Sequence, residues 1–554
     1  MIRDGILAMV LWSVLTFAVS AQTRAEIRDR VFVTAQRAQA SSAGRALAQA
    51  AGRIAAGTAG LEGLLRDQQD ISREIAAQRA ELAEVAARPG AEAELTVTRL
   101  QAEISDGRAR LQALDARLGT EFPEFRELTD PAPLSIAEVQ ALLRPGEALV
   151  MTMTDDSYLY TWAVSPGASA WTRAELPLSE LRTLVQGLRA QLRVEVDSRA
   201  GVALGNRQGV SRIRGFDRTT AHRLYLETLA PLEPVIGAAR HLMVVFDGPL
   251  TSLPPAVLVT RPPDGEDTAP QALRETGWLL RRHALTTLPH VSALRALRQT
   301  ALPARPRDTP SFLGFGDPLL GYRLAAEDGA QAPEEAQVVT RGIYEDVRRV
   351  ADLAPLPNTA RELRRLAATM GAPETSVHLA RAATEGAVKT LDLSGADVVA
   401  FATHGLLADG LPGLTEPALV FTPPETPSPH DDALLTASEA AQLKLSADLV
   451  ILSACDTAGS DGTPGAEGLT GLARAFIYAG ARAILVSHWP VDDYAASVLT
   501  TGMLERMYAE APLGRAEALQ RSALDLLADP REDRFAHPRL WAPFVVVGEG
   551  GRDR

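Results

Sequence analysis

The stretches GADVVAFATHG (residues 395–405) and SADLVILSACD (residues 446–456) share one layout. Each runs from an Ala-Asp pair through an apolar segment to a reactive side chain, His404 in the first and Cys455 in the second. Apolar runs of this length are typical of strands that are buried on both faces of a parallel sheet. In neighbouring parallel strands of matched register, the two side chains would emerge together at the carboxyl edge, where open α/β sheets bind ligands.

These residue types suit nucleophilic catalysis. An imidazole beside a thiol can take the thiol proton, and the thiolate is the nucleophile. Gly405 leaves room for a substrate carbonyl, and the backbone N–H groups of Gly405 and Cys455 could stabilise an oxyanion. The alternative is structural, because a single Cys at a strand end is commonly a small buried hydrophobe. The matched placement of His404 and Cys455, 455 − 404 = 51 residues apart, favours the catalytic pair.

The rest of the chain predicts an α/β protein with a helical N-terminal region. From residue 311 onward strands and helices alternate, which predicts a mainly parallel sheet with helices on both faces. Residues 131–305 also have a mixed α/β pattern, whereas 22–130 are rich in helix-forming residues. An apolar stripe of helical spacing lies there: Leu95, Leu100, Ile104, Leu111 and Leu114. The stripe fits a hairpin or coiled coil that packs on the rest, and it equally fits a docking arm for a partner.

Composition excludes several classes of function. The chain has 56 Lys and Arg against 69 Asp and Glu, a net charge of −13, which disfavours binding to nucleic acid. A single Cys excludes an intramolecular disulfide and any CxxC motif. No HExxH, Walker loop or GxSxG motif occurs. We therefore expect neither a metal nor another cofactor.

The N-terminus has the layout of a secretory signal peptide. The apolar run ILAMVLWSVLTFAVS (6–20) follows Arg3 and precedes small residues that suit a cleavage site. We expect removal of residues 1–21, export to the periplasm or medium of a bacterium, and no stable membrane span after cleavage. An uncleaved anchor is the alternative.

Four motifs together carry a family resemblance. FATHG and LSACDTA, followed by EGLTGLARAFIYAGARAILVSHWPVDD (467–493) and HPRLWAPFVVVG (537–548), resemble a CHAT-domain protein. CHAT domains form a bacterial branch of the caspase–separase clan of cysteine peptidases. The resemblance implies that His404 is the general base and Cys455 the nucleophile.

The resemblance also implies a domain order. Residues 306–550 would be the caspase-like catalytic part of the CHAT domain. Residues 131–305 would be its degenerate, pseudo-caspase-like accessory part. The helical region 22–130 would be tetratricopeptide-like or a coiled coil. This implies a caspase-like α/β fold preceded by a degenerate α/β half and a repeat-like helical region.

Specificity follows from the resemblance as well. Separases have a Trp-x-Val-x-Asp stretch whose Asp receives a basic side chain, and here Trp489 and Asp493 match it. Asp456 would add negative charge, and it also departs from the residue that follows Cys in caspases, so the caspase preference for Asp is not implied. The alternatives are that Asp456 only shapes a turn and that Asp492 and Asp493 only begin a helix. His488 is a further candidate base, although the Trp-Pro that follows it favours a packed turn.

The sequence thus predicts a cysteine endopeptidase that hydrolyses a protein or peptide substrate, after a basic residue. The alternative is a catalytically silent CHAT-domain scaffold that binds a protein partner through its helical region. The intact pair of His404 and Cys455 favours the enzyme, because a scaffold needs neither.

Overall fold

The fold is given by a computed structural model of the 554-residue chain. The residues that it describes are 26–39, 71, 75, 78, 82, 85, 91–121, 132–193, 215–299, 311–320, 350, 353, 355–356, 358–406, 414, 417–428, 431–453, 470–489, 491–509 and 511–551. The predicted signal peptide, Cys455 and Asp456 lie outside these ranges.

The strands, in chain order, are β1 (Glu147–Thr154), β2 (Leu159–Ser165), β3 (Ala168–Ala174), β4 (His241–Val245), β5 (Ala284–Thr287), β6 (Phe312–Gly316), β7 (Val377–Leu379), β8 (Val398–Ala402), β9 (Gly405–Leu406), β10 (Ala418–Val420), β11 (Leu434–Thr436), β12 (Leu449–Leu452), β13 (Ala483–Ser487) and β14 (Phe544–Gly548).

The α-helices are α1 (residues 26–39), α2 (Ala91–Glu121), α3 (Ile136–Leu142), α4 (Leu178–Leu192), α5 (Arg218–Thr228), α6 (Glu233–Ile236), α7 (Pro270–Glu275), α8 (Ala293–Gln299), α9 (Thr359–Thr369), α10 (Glu385–Thr390), α11 (Ala437–Ala440), α12 (Thr470–Tyr478), α13 (Asp493–Met507), α14 (Arg515–Ala528) and α15 (Pro538–Trp541).

An eleven-stranded sheet runs through both α/β parts of the described chain. Its strand order is β3-β2-β1-β4-β5-β14-β13-β12-β8-β6-β7. The antiparallel pairs are β1–β2, β2–β3 and β13–β14, and the other pairs are parallel. The predicted α/β class with a mainly parallel sheet is therefore confirmed. Because β14 joins β5 to β13, the parts predicted at 131–305 and 306–550 share one sheet, and the boundary between them stays a prediction.

Helices cover both faces of this sheet. Alternate residues of β8 and β12 point to opposite sides: Ala400 and Ile451 pack in one hydrophobic cluster, and Phe401 and Leu452 in another. The first cluster includes side chains of α9, α13 and α14, and the second includes those of α10, α11 and α12. Burial on both faces explains why these strands read as continuous apolar runs.

A small second sheet, which the sequence analysis missed, lies beside the carboxyl end of β8. Its order is β11-β10-β9, and both pairs are antiparallel. The strands are only two or three residues long, so period-2 alternation gives no usable signal at this length. The apolar run of β10 after Pro417 was the one feature of the sequence that could have indicated a strand here.

The N-terminal helices pack in two places. The inner face of α1 lies against the accessory part, where the Phe32 ring contacts Trp162 and the Gln36 side chain donates to the Leu134 carbonyl at 2.7 Å. Ile104 of α2 packs with Ile71 and Ile75 in a separate small cluster. The residues described in the helical region thus form helices, as predicted, and their apolar side chains pack in these two clusters.

Candidate active site

β8 and β12 are adjacent parallel strands, as the matched layout of the two stretches predicts. Val398 lies opposite Leu449 and Phe401 opposite Leu452, so the register offset is 449 − 398 = 51 residues. One residue further, the Ser453 amide donates to the Phe401 carbonyl at 2.9 Å. The offset equals the sequence separation of His404 and Cys455.

The aspartates that begin the two stretches anchor the amino ends of the strands. The Asp397 carboxylate accepts from the Ser311 amide at 2.7 Å, just before β6. The Arg515 side chain donates to the Asp448 carbonyl at 2.7 Å and pairs with the Asp448 carboxylate at 3.3 Å. The Asp448 amide donates to the Asp397 carbonyl at 2.8 Å. These contacts hold β8 and β12 in register, which is a structural role that the sequence analysis did not assign.

His404 lies where β8 leads into β9, and its side chain is half-buried. Its carbonyl accepts from the Val420 amide at 2.9 Å. The next residue, Gly405, lies opposite Leu419 of β10. Because hydrogen-bonded and non-hydrogen-bonded positions alternate in an antiparallel ladder, the Gly405 N–H points away from β10. That direction leaves the Gly405 amide outside the β9–β10 ladder, as its predicted oxyanion role requires.

The segment after β13 is packed into the core. His488 is buried, and burial together with the nearby charge of Arg189 lowers its pKa to about 3. It is therefore a weak base with little access to solvent. The Trp489 side chain is 1% exposed, and its indole N–H donates to the Arg539 carbonyl at 2.9 Å. Trp489 therefore packs in the hydrophobic core two residues after the end of β13.

The two acidic residues that follow occupy the start of α13. Asp492 caps the helix, since its carboxylate accepts from the amides of Tyr494 and Ala495 at 3.1 and 3.2 Å. Asp492 also pairs with Arg534 at 2.8 Å. Asp493 is the first residue of the helix, and its side chain lies outside the described part of the structure. The helix-start interpretation therefore accounts for Asp492.

A buried charged cluster supports the small sheet, and the sequence analysis missed it. Glu385 of α10 is fully buried and accepts from the amides of Asp432 and Ala433 at 2.7 and 2.9 Å. Burial, then repulsion by Glu439, raises the pKa of Glu385 to about 8. Lys389 contacts both carboxylates. Ala433 has a positive φ of 73°, so the Glu385 carboxyl holds a strained turn at the start of β11.

Among the described residues, no group of three or more His, Cys, Asp or Glu side chains could hold a metal ion. No helix in the described ranges is long and apolar enough to cross a membrane.

The edge formed by β8 and β12 lies in the part of the chain that a protein-family model matches. The model of the CHAT domain family matches residues 218–549, which is more than half of the chain. The chain therefore belongs to the CHAT-domain family, and the predicted family is confirmed. The match begins inside the accessory part and ends one residue after β14.

Curated relatives are much longer than this chain. Tetratricopeptide repeat protein 28 of Mus musculus is 36% identical over 124 residues, which are 22% of this chain and 5% of that protein. Tetratricopeptide repeat protein 28 of Homo sapiens is 25% identical over 375 residues, 61% of this chain and 13% of that protein. The chain thus covers only a small fraction of the length of these relatives.

Solved structures of the Saccharomyces cerevisiae separase–securin complex also align with the chain. The structure at 2.6 Å has a TM-score of 0.38 and 10% identity, and covers 87% of this chain and 38% of that chain. The structure at 3.0 Å has a TM-score of 0.39 and 10% identity, with 86% and 37% coverage.

Proposed function

We propose that this chain is a cysteine endopeptidase in which His404 is the general base and Cys455 the nucleophile. The observation that carries the proposal is the register of β8 and β12, whose offset of 51 residues equals the spacing of the two side chains. If the same register held for two residues beyond Ser453, Cys455 would lie level with His404. A base must lie within hydrogen-bond reach of the proton that it takes, so the proposal requires the His404 imidazole and the Cys455 thiol to lie that close together.

The reaction follows from these groups. The His404 imidazole takes the thiol proton, and the Cys455 sulfur attacks the scissile carbonyl carbon to form a tetrahedral oxyanion. The amides of Gly405 and Cys455 donate to that oxyanion. The imidazolium then gives its proton to the leaving amine as the C–N bond breaks. Water hydrolyses the thioester, with His404 again as base, and the free thiol is restored.

The test compares Cys455→Ala, His404→Ala and the double variant on a peptide substrate. Each should abolish hydrolysis, and the double variant should be no worse than either single one, because the two groups act as a unit. His378→Ala is the matched control, since His378 is a partly buried histidine of β7 in the same sheet. Wild-type turnover by Cys455→Ala would end the proposal.

The finer proposal is cleavage after Arg or Lys, with Asp493 as the acidic partner and Asp456 adding to the negative field. Since Asp492 is engaged by the helix amides and by Arg534, the proposal assigns the acidic partner in the pocket to Asp493 rather than to Asp492. Trp489 is a buried core residue, so in this proposal it supports the segment that carries Asp493 and does not contact the substrate. A fluorogenic library that varies only the residue before the scissile bond tests this assignment. A preference for Asp, or unchanged Arg cleavage by Asp493→Ala, contradicts it.

A catalytically silent scaffold is the second candidate. The relatives' name describes tetratricopeptide repeat proteins, and α1 and α2 of this chain are helices whose apolar side chains pack in two clusters. Under this proposal, residues 22–130 bind a protein partner, and Cys455→Ala leaves that binding and the biological activity unchanged.

Export with removal of residues 1–21 is a separate proposal, which N-terminal sequencing of the mature protein decides.

A further inference from the structure

Thr403 is the residue between the end of β8 and His404. It is 1% exposed, and its hydroxyl donates to the carbonyl of Val420 in β10. The Val420 amide in turn donates to the His404 carbonyl at 2.9 Å, and Gly405 lies opposite Leu419. Thr403 and His404 are therefore both hydrogen-bonded to one short strand, and Gly405 lies beside it.

β10 is a rigid support for this segment. Each of its three residues is fully buried. Leu419 packs in the cluster that contains Phe401 and Leu452, and Val420 packs in a separate cluster with Leu320 and Leu434. Since β10 is fixed from both sides, a group bonded to it takes a defined position.

The residue two positions after β10 ties the neighbouring strand ends to the same support. The Thr422 hydroxyl accepts from the Leu319 amide at 2.9 Å, after β6, and donates to the Ala380 carbonyl at 2.7 Å, after β7. Asp317 and Ala380, at these ends, have positive φ values of 47° and 50°. Strained backbone of this kind persists only where its surroundings over-determine it.

We infer that Thr403 is a positioning residue for His404, an inference that rests on the proposed function of the pair. The Thr403 hydroxyl bond and the Val420–His404 backbone bond fix two successive residues against β10, and so they set where the imidazole leaves the sheet. Removal of the hydroxyl takes a donor from a buried carbonyl and lets the segment shift. A displacement of about 1 Å at a catalytic group can cost about 100-fold in rate.

The chain's single thiol permits a test that needs no known substrate. Purified full-length protein is alkylated with iodoacetamide at pH values from 5 to 10. Cys455 is the only cysteine in the chain, so it is the only thiol that can react. A thiol paired with an imidazole reacts well below the ordinary pKa of about 8.5, whereas an unpaired thiol does not. We expect low-pH reactivity in the wild type, its loss in His404→Ala and its weakening in Thr403→Val. Thr403→Ser, which keeps the hydroxyl, should restore it.

Peptide hydrolysis supplies the second readout. Thr403→Val should lower kcat about 10- to 100-fold with little change in KM, since the substrate pocket is untouched. The matched control is Thr228→Val, because Thr228 is also fully buried and donates to a backbone carbonyl, that of Leu224 in α5. The control should change stability but neither kcat nor the alkylation profile.

Each outcome tests either the role of Thr403 or the proposed function of His404 and Cys455. A Thr403→Val variant with wild-type kcat and alkylation profile overturns the inference while the catalytic pair stands. A Thr403→Ser variant as impaired as Thr403→Val overturns it too, because the hydroxyl would not be the cause. Identical alkylation profiles for wild type and His404→Ala overturn the proposed function instead. If Thr403→Val does not fold, Thr403→Ala, which also lacks the hydroxyl, replaces it with the same outcomes.

Discussion

Replacement of Glu385 by Gln removes a titratable proton from the buried cluster behind the small sheet. Glu385 is fully buried, and its pKa is raised from 4.5 to about 8 by burial and by Glu439. The groups that face it are Lys389, Glu439, Asp431 and Asp432, together with the amides of Asp432 and Ala433. Gln keeps the shape and an acceptor oxygen for those amides but cannot ionise.

Proton linkage gives the direction in which the free energy of unfolding changes with pH. Between pH 4.5 and about 8 the folded state keeps a proton on Glu385 that the unfolded state has released. The stability of the wild type therefore falls as pH rises through this window, by at most ~1.4 kcal/mol per pH unit and ~5 kcal/mol in all. The Gln variant escapes this loss. Its free energy of unfolding, relative to the wild type, should rise with pH up to about 8 and then level off.

Urea unfolding followed by far-ultraviolet circular dichroism, at pH steps from 4.5 to 9, measures this difference. Glu374→Gln is the matched control, because Glu374 is largely exposed and pairs only at the surface with Arg364. Its stability relative to the wild type should change by less than ~0.5 kcal/mol over the same range. Parallel stability curves for Glu385→Gln and wild type across this window would refute the reasoning.

Two further predictions concern stability. Glu147 is buried, and although burial acts to raise its pKa, a hydrogen bond with His241 and the charge of Arg298 lower it to about 2. Its stabilising contribution is present above pH 4.5 and is lost as pH falls towards 2, so Glu147→Gln should cost up to ~3 kcal/mol in urea unfolding at pH 7 and much less near pH 2. An equal cost at both pH values would contradict this. Asp492→Ala should lower the free energy of unfolding by ~1 kcal/mol through loss of the helix cap, and Asn should recover most of it in thermal melts. No loss in the Ala variant would show that the cap is unimportant.

The sequence alone determined the class of fold and the candidate pair. Apolar runs that end at His404 and Cys455 identify buried parallel strands, because a strand covered on both faces has no polar side. The equal lengths of the two stretches predicted matched register, and the structure has the expected offset of 51 residues in β8 and β12. These properties are local or follow from spacing, so one sequence is enough to find them.

Only the tertiary structure decided which residues far apart in the chain contact one another. Thr403 meets Val420 across 17 residues, and Asp492 meets Arg534 across 42. Glu385 meets the amide of Asp432 across 47 residues. Local periodicity carries no information about such pairs, because they form only when separate elements pack. The burial that raises the pKa of Glu385 has the same origin, since low solvent access belongs to the packed molecule and not to the residue.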